Sequence, residues 1–265
     1  SIACSAGSKP AAGFIKAFAT MMRDVQPAPS SPIRINKFFT EHGICSRREA
    51  DQRVEAGRVT VNGVVATLGD RVSRTDVVAC DGTVIPWGQT LIYIKYHKPV
   101  GVTTTSESHV PRNIIAEIGH PERIFPIGRL DKDSSGLILL TNDGNIVNDI
   151  LRVEFGHERE YVVDVDRPFD EAFLTHMAEG VVILDCMTRP CRMERVRPNR
   201  FRIILTEGRN RQIRRMCQAL GYRVTGLHRV RIMHIGITGL GAGSWKELSA
   251  DERAELLRAV GRPPA

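Results

Sequence analysis

No stretch of this chain comes near the ~20 consecutive apolar residues that a membrane-crossing helix needs, so no membrane partner is expected. Internal repeats are absent as well. Cysteine is sparse and poorly spaced for metal. The six thiols at positions 4, 45, 80, 186, 191 and 217 include no Cys-x-x-Cys pair. Cys186 and Cys191 stand closest, without a second ligand pair beside them, and the eight histidines include no His-x-x-x-His. A zinc site is therefore not expected, and the thiols read as reduced and mostly buried in a cytoplasmic protein. Met21 and Met22 follow a small-residue stretch with Lys9 and Lys16, too weakly apolar for a secretory signal. Acids are in the minority: 37 Lys and Arg face 30 Asp and Glu, giving a net charge of +7 and a pI near 9.3. That balance fits a polyanionic partner but does not choose one.

What is present suits two soluble domains: 265 residues, 42% hydrophobic and 25% charged. Residues 1–31, which run into the stretch Pro27-Ala28-Pro29-Ser30-Ser31-Pro32, are expected to form a flexible leader. Residues 32–88 form one unit. An amphipathic helix begins at Ile33 and closes at Gly43. Ser46-Arg47-Arg48-Glu49 fits a capping box for a second helix ending at Gly57. Val59–Val65 is a hairpin whose Asn62-Gly63 favours a type I′ turn. Asp81-Gly82 and Pro86-Trp87-Gly88 mark a boundary, and a larger domain is expected over 90–262.

In that domain, strands are expected at Leu91–Ile94, Val102–Thr105, Leu137–Leu140, Tyr161–Val165 and Phe201–Leu205, with two more around Val224 and Ile232. Helices are expected over Ala172–Glu179, Arg209–Leu220 and from a capping box at Ser249 to Val260. Strict βαβ alternation is lacking. The expectation is an α+β fold, with a mixed, mainly antiparallel sheet flanked by helices.

The most informative run is Gly128-Arg129-Leu130-Asp131-Lys132-Asp133-Ser134-Ser135-Gly136-Leu137-Ile138-Leu139-Leu140-Thr141-Asn142-Asp143-Gly144. A charged loop leads into a strand apolar on both faces, closed by an Asn-Asp-Gly turn signal. Asp131 thus stands at the edge of a core beside cations, where a nucleophile or general base is built. Other readings stay open. Asp131-x-Asp133-x-Ser135-Gly136 has the start of a calcium loop, but Asn142 stands where a bidentate Glu is required. An aspartyl phosphotransfer site wants a strand just before the aspartate, and Pro126–Leu130 is a poor strand. An Asx-type turn with Asp131 paired locally needs no chemistry at all. A second cluster lies between Thr206 and Arg231. There Arg209, Arg211, Arg214, Arg215, Arg223, Arg229 and Arg231 face a single acid, Glu207, a composition suited to phosphate contacts. Arg214 adjoins the apolar face of its helix and is a candidate partner for Asp131.

Two stretches also carry a family resemblance. Cys45-Ser46-Arg47-Arg48-Glu49-Ala50, followed by Gly57-Arg58-Val59-x-Val61-Asn62-Gly63, resembles the S4 RNA-binding module. The resemblance implies RNA contacts from Arg34, Lys37, Arg47, Arg48 and Arg53. The Gly128–Gly144 run resembles the nucleophile motif of pseudouridine synthases, in the branch acting on bacterial ribosomal RNA. Lys98-Pro99-x-Gly101, Glu160-Tyr161 and Gln212-Ile213-Arg214 resemble further motifs of that family, in order along the chain. Asn210–Cys217 and Arg229–Met233 look most like its RluF type, which acts on 23S ribosomal RNA.

This resemblance implies isomerisation of a flipped-out uridine to pseudouridine without metal or organic cofactor. Asp131 would act as nucleophile or base, Tyr161 would stack on the base, and Arg214 would pair with Asp131. Arg129, Lys98, Arg211, Arg215 and Leu227 would contact the substrate. The implied partner is 23S ribosomal RNA, with tRNA a second candidate, for a monomer in the cytoplasm. A non-catalytic RNA-binding or ribosome-assembly protein is the alternative, and a magnesium-dependent phosphatase a third reading.

Overall fold

The structure is a computed structural model that describes residues 31–88 and 90–263; apart from Ser31, the expected leader lies outside them. The chain divides into two compact units. One holds the described residues through Phe38 together with Asp51–Trp87, and the other holds Phe39–Ala50 and everything from Gly88 onward. The break falls at Trp87/Gly88, and Phe39–Ala50 group with the larger unit.

In the N-terminal region, Ile33–Arg34 pair as a short strand with Arg71–Val72, so the first helix begins only at Ile35 and runs to Glu41. Gly43 follows in the left-handed conformation. The second helix, Arg47–Glu55, carries the expected reciprocal cap: Ser46 N donates to Glu49 Oε2 at 2.7 Å and Glu49 N to Ser46 Oγ at 3.2 Å. Asn62 (φ 51°) and Gly63 (φ 84°) make the hairpin turn as expected. Asp81-Gly82 is not a boundary. It repeats the same turn, joining Val78–Cys80 to Thr83–Ile85 within a four-stranded sheet. A Gly-containing turn signal marks a reversal of the chain, and only packing decides whether a domain ends there.

The larger unit is built on a nine-stranded sheet. Its main path runs Arg192–Arg197, Arg200–Leu205, Arg159–Val165, Val224–Ile232, Ser135–Thr141, Tyr93–Lys98, Trp245–Glu247. All of its pairings are antiparallel except one: Val224–Ile232 meets Ser135–Thr141 in parallel, with His228 opposite Ser135 and Arg229 opposite Gly136. The strands expected around Val224 and Ile232 are thus one continuous strand. The strand expected at Leu91–Ile94 runs instead over Tyr93–Lys98, and Val102–Thr105 contributes only an isolated bridge from Thr103 to Asn113.

The apolar run 137–140 explains the layering. Leu137 and Leu139 enter a core with Ile146, Ile150, Leu256 and Leu257, while Ile138 and Leu140 enter one on the opposite face with Ile94, Tyr96, Ile114 and Ile118. Alternate residues of one strand fill two layers, so every position must be apolar. A third core joins Val163, Phe201, Ile203 and Leu227 to Phe173, Met177, Ile213 and Met216 from helices Glu171–Glu179 and Gln212–Ala219. The signal Asn142-Asp143-Gly144 is not a solvated turn. Asn142 is fully buried; its side chain accepts from Ile92 N at 2.8 Å and donates to Thr90 O at 2.9 Å, and Asp143 accepts from Tyr93 Oη at 2.8 Å.

Candidate active site

The one parallel seam of the sheet leaves the loop before Ser135 at the end of the strand pair, and Asp131 lies in that loop. The loop is pinned from two sides. Ser134 N donates to Asp131 O at 3.1 Å, and Gly101 N donates to Lys132 O at 2.7 Å. Thr104 is buried; its hydroxyl donates to Leu130 O at 2.8 Å and accepts from Leu130 N at 3.3 Å. The segment after Lys98-Pro99 therefore serves as a brace for the Asp131 loop. Nothing in sequence sets Thr104 apart from its neighbours Thr103 and Thr105.

Asp131 is not paired locally. Its Oδ2 accepts from Arg211 Nη1 at 3.1 Å, and Arg214 Nε lies 4.0 Å away. Arg211, expected as a substrate contact, thus makes the shorter, hydrogen-bonded contact, and the expected partner Arg214 forms a longer ion pair with the same oxygen. Arg214 Nη2 bonds Asp133 O at 3.0 Å and Ser134 Oγ at 3.2 Å, and pairs with Asp133 Oδ2 at 3.2 Å. Nor is the aspartate buried, because its side chain keeps 32% of its exposure.

Asp133 proves to be the hub, accepting from Arg211 Nη1 and Nη2 at 3.3 and 3.2 Å. Burial pushes its carboxyl up, but the Arg211 hydrogen bonds and the Arg214 and Arg211 charges outweigh that and hold it below the usual carboxylate range. Lys98, wholly buried, donates to Pro99 O at 2.9 Å; burial lowers its pKa to about 8 against the opposing pull of Asp133 and Asp131.

Arg211 reaches both carboxylates from an unusual backbone. It caps helix Gln212–Ala219 with φ 51°, so the helix starts after it and not at Arg209. The loop that holds it hangs on Glu207, which is 5% exposed. Glu207 accepts from Arg189 N at 3.0 Å, Arg209 Nε at 3.2 Å and Gln212 Nε2 at 2.9 Å. Sequence reading registered Glu207 only as the lone acid of a basic stretch.

A cavity of about 440 Å³ opens beside Asp131, a size ordinary for a small-molecule site. Tyr161 and Leu227 line it, as do Arg129, Arg211 and Arg214. Lys98 and Arg215 do not: Lys98 lies beneath the loop, and Arg215 is turned to Asn210 O at 3.1 Å. Nor is the 206–231 basic cluster a free phosphate surface. Arg209 pairs with Glu207, Arg223 with Asp166, and Arg231 with Glu158 and Glu160. Asp166, Glu158 and Glu160 lie outside the cluster, so composition within it could not show these pairings. In the N-terminal region, Arg34, Arg47 and Arg48 are exposed and have no ion-pair partner among the described residues. Arg53 is half-buried, with Nη1 4.0 Å from Cys80 Sγ, and Lys37 is half-buried as well.

An aspartate paired with two arginines at the mouth of a cavity walled by a tyrosine and a leucine suits an enzyme that works by a nucleophile or base on a small bound group. Residues 92–219 match the RNA pseudouridylate synthase family and residues 33–78 the S4 domain. The dual-specificity RNA pseudouridine synthase RluF of Escherichia coli strain K12 is 47% identical over 234 residues, covering 88% of this chain and 81% of that one. The ribosomal large subunit pseudouridine synthase B of Bacillus subtilis is 32% identical, covering 86% of this chain and 96% of that one. A crystal structure of a pseudouridylate synthase superposes with a TM-score of 0.63 at 27% identity, covering 84% of this chain and 99% of that one. The chain belongs to the RNA pseudouridine synthases, isomerases that act on uridine in RNA. Among the described residues, no helix is long and apolar enough to cross a membrane.

Proposed function

We propose that this enzyme converts a specific uridine of 23S ribosomal RNA to pseudouridine in the cytoplasm, with Asp131 as its nucleophile or base. The supporting observation is the 3.1 Å pairing of Asp131 with Arg211 at the mouth of the cavity that Tyr161 and Leu227 line. Paired guanidiniums favour an ionised carboxylate, and a half-exposed one is free to meet a reacting carbon. Such a base cannot be reached while stacked, so the uridine is flipped out of the RNA. It would stack on Tyr161 with Leu227 as a second wall, while Arg129, exposed beside the cavity, fills the space it leaves. Arg214 keeps Asp133 and the loop in place. The names of the relatives favour ribosomal RNA of the large subunit, and the dual specificity named for the E. coli relative makes tRNA the second substrate class to test.

The test is to map pseudouridine in ribosomal and transfer RNA from cells with and without the protein, and to assay Asp131→Asn in vitro. That substitution removes the nucleophile without adding bulk. Turnover should vanish, with RNA affinity kept within about threefold. Substantial turnover by Asp131→Asn would end this reading.

A further inference from the structure

Among the described residues, two buried guanidiniums in the same cavity have no carboxylate partner. Arg159 is 8% and Arg229 3% exposed, and both line the cavity shared by Asp131 and Tyr161. Arg159 Nη2 donates to Ile150 O at 3.1 Å, and Arg229 Nε donates to Leu137 O at 2.7 Å. Neither forms an ion pair among the described residues. Arg229 Nη2 is buried without any hydrogen-bond partner, and Arg229 Cζ lies 6.0 Å from the centre of the Tyr161 ring. Of the other arginines lining the cavity, Arg209, Arg211 and Arg214 are each paired with an acid, and Arg129 is exposed to solvent. Burying a cation without a counter-charge is strongly unfavourable, yet two are kept here together. Burial lowers the pKa of Arg159, and the charge of Arg229 adds to that. The strain is relieved if a ligand brings negative charge.

We propose that Arg159 and Arg229 are catalytic residues that bind the carbonyl oxygens of the flipped uracil and hold the negative charge of the base while its glycosidic bond is open. This rests on the pseudouridine synthase reading. When the bond from C1′ to N1 breaks, its electron pair stays on the base and spreads from N1 onto O2 and O4. The base then turns, C5 bonds to C1′, the proton on C5 leaves and N1 is protonated, so no atom is gained or lost. Fixed positive groups in a site shielded from water act most strongly at the stage when that charge is present. They also favour uracil over cytosine, whose amino group would point a donor at a donor.

A backbone phosphate offers the same anionic oxygens. Depth favours the base: these two cations lie deep beside Tyr161, whereas Arg129 is at the surface where a backbone passes.

The experiment compares wild type, Arg159→Gln and Arg229→Gln on a ribosomal RNA fragment in single turnovers at saturation. Three further substrates carry 2-thiouridine or 4-thiouridine at the target, or a phosphorothioate beside it. Each Gln variant should lose about 100-fold in saturated rate, with RNA affinity within about threefold. Sulfur in the base should slow the wild type but add little to the loss in at least one variant, because both changes remove the same contact. The phosphorothioate effect should be the same in all three proteins. Coupling to the phosphorothioate instead of the base, additive effects of sulfur, or an unchanged saturated rate would each overturn the proposal.

The Gln variants should melt no lower than wild type, since a buried charge is gone. If they do melt lower, Arg159→Lys and Arg229→Lys carry the test: retained charge should restore part of the rate, and no recovery counts against the proposal. If the wild type forms no pseudouridine in any RNA tested, the parent reading fails. If it does and the variants match it, only this inference fails.

Discussion

Lys98 is a cation placed where charge is disfavoured, and that placement has a pH signature. Its folded pKa, about 8, lies below the ordinary 10.5 because its ammonium is buried. Between these values the native state binds fewer protons than the unfolded chain, so stability rises with pH across the window. Below about pH 8 the cost of the buried charge is fully present. Lys98→Met should therefore be stabilised relative to wild type by up to roughly 2–3 kcal/mol near pH 7. The difference should shrink as pH approaches 10. Urea denaturation at the two ends of the window measures it, and a gap independent of pH would show that Lys98 is neutral throughout.

At the scale of elements, two local devices hold the site. Gly136 sits at φ 116°, and a Cβ there would stand 2.3 Å from Arg229 O and 2.4 Å from Arg229 N. The parallel seam beside Asp131 closes only because this residue has no side chain. Gly136→Ala should cost on the order of 3 kcal/mol or more, because backbone blocks the new atom and a left-handed φ adds strain. A fall in melting temperature of only a degree or two would show that the strands part cheaply.

The Glu207 loop is the second device. Replacing that buried carboxylate by Gln turns an amide towards three donors. Glu207→Gln should lose about tenfold in saturated rate through misplacement of Arg211, besides losing stability. A variant that melts lower but turns over normally would make Glu207 a purely structural residue.

Across the whole molecule, binding and chemistry should separate. Arg34, Arg47 and Arg48 are exposed cations without ion-pair partners among the described residues, and they suit a phosphate backbone. Replacing all three with Gln should weaken RNA binding and reduce the slope of log affinity against log salt by up to about three. The saturated rate should stay close to wild type. Fluorescence anisotropy over a salt series with single-turnover assays decides it. An unchanged slope would remove these arginines from the interface.

Several features were legible in the chain because neighbours in sequence decide them. The capping boxes at Ser46 and Ser249 and the turn at Asn62-Gly63 rest on contacts within a few residues, and the doubly buried strand after Asp131 shows in its unbroken apolar run. Each appears in the structure where the pattern placed it. The motifs around Asp131, Tyr161 and Arg214 were equally readable as a resemblance. What only the tertiary structure decided are choices between distant groups. Arg211 takes Asp131 across 80 residues, because a left-handed residue held by the Glu207 network turns its guanidinium that way. Arg231 is neutralised by Glu158 and Glu160 on the adjoining strand, while Arg159 and Arg229 are left unpaired in the cavity. Local sequence specifies backbone conformation through short-range hydrogen bonds and sterics. Which charge meets which is settled only when the sheet register brings the strands together.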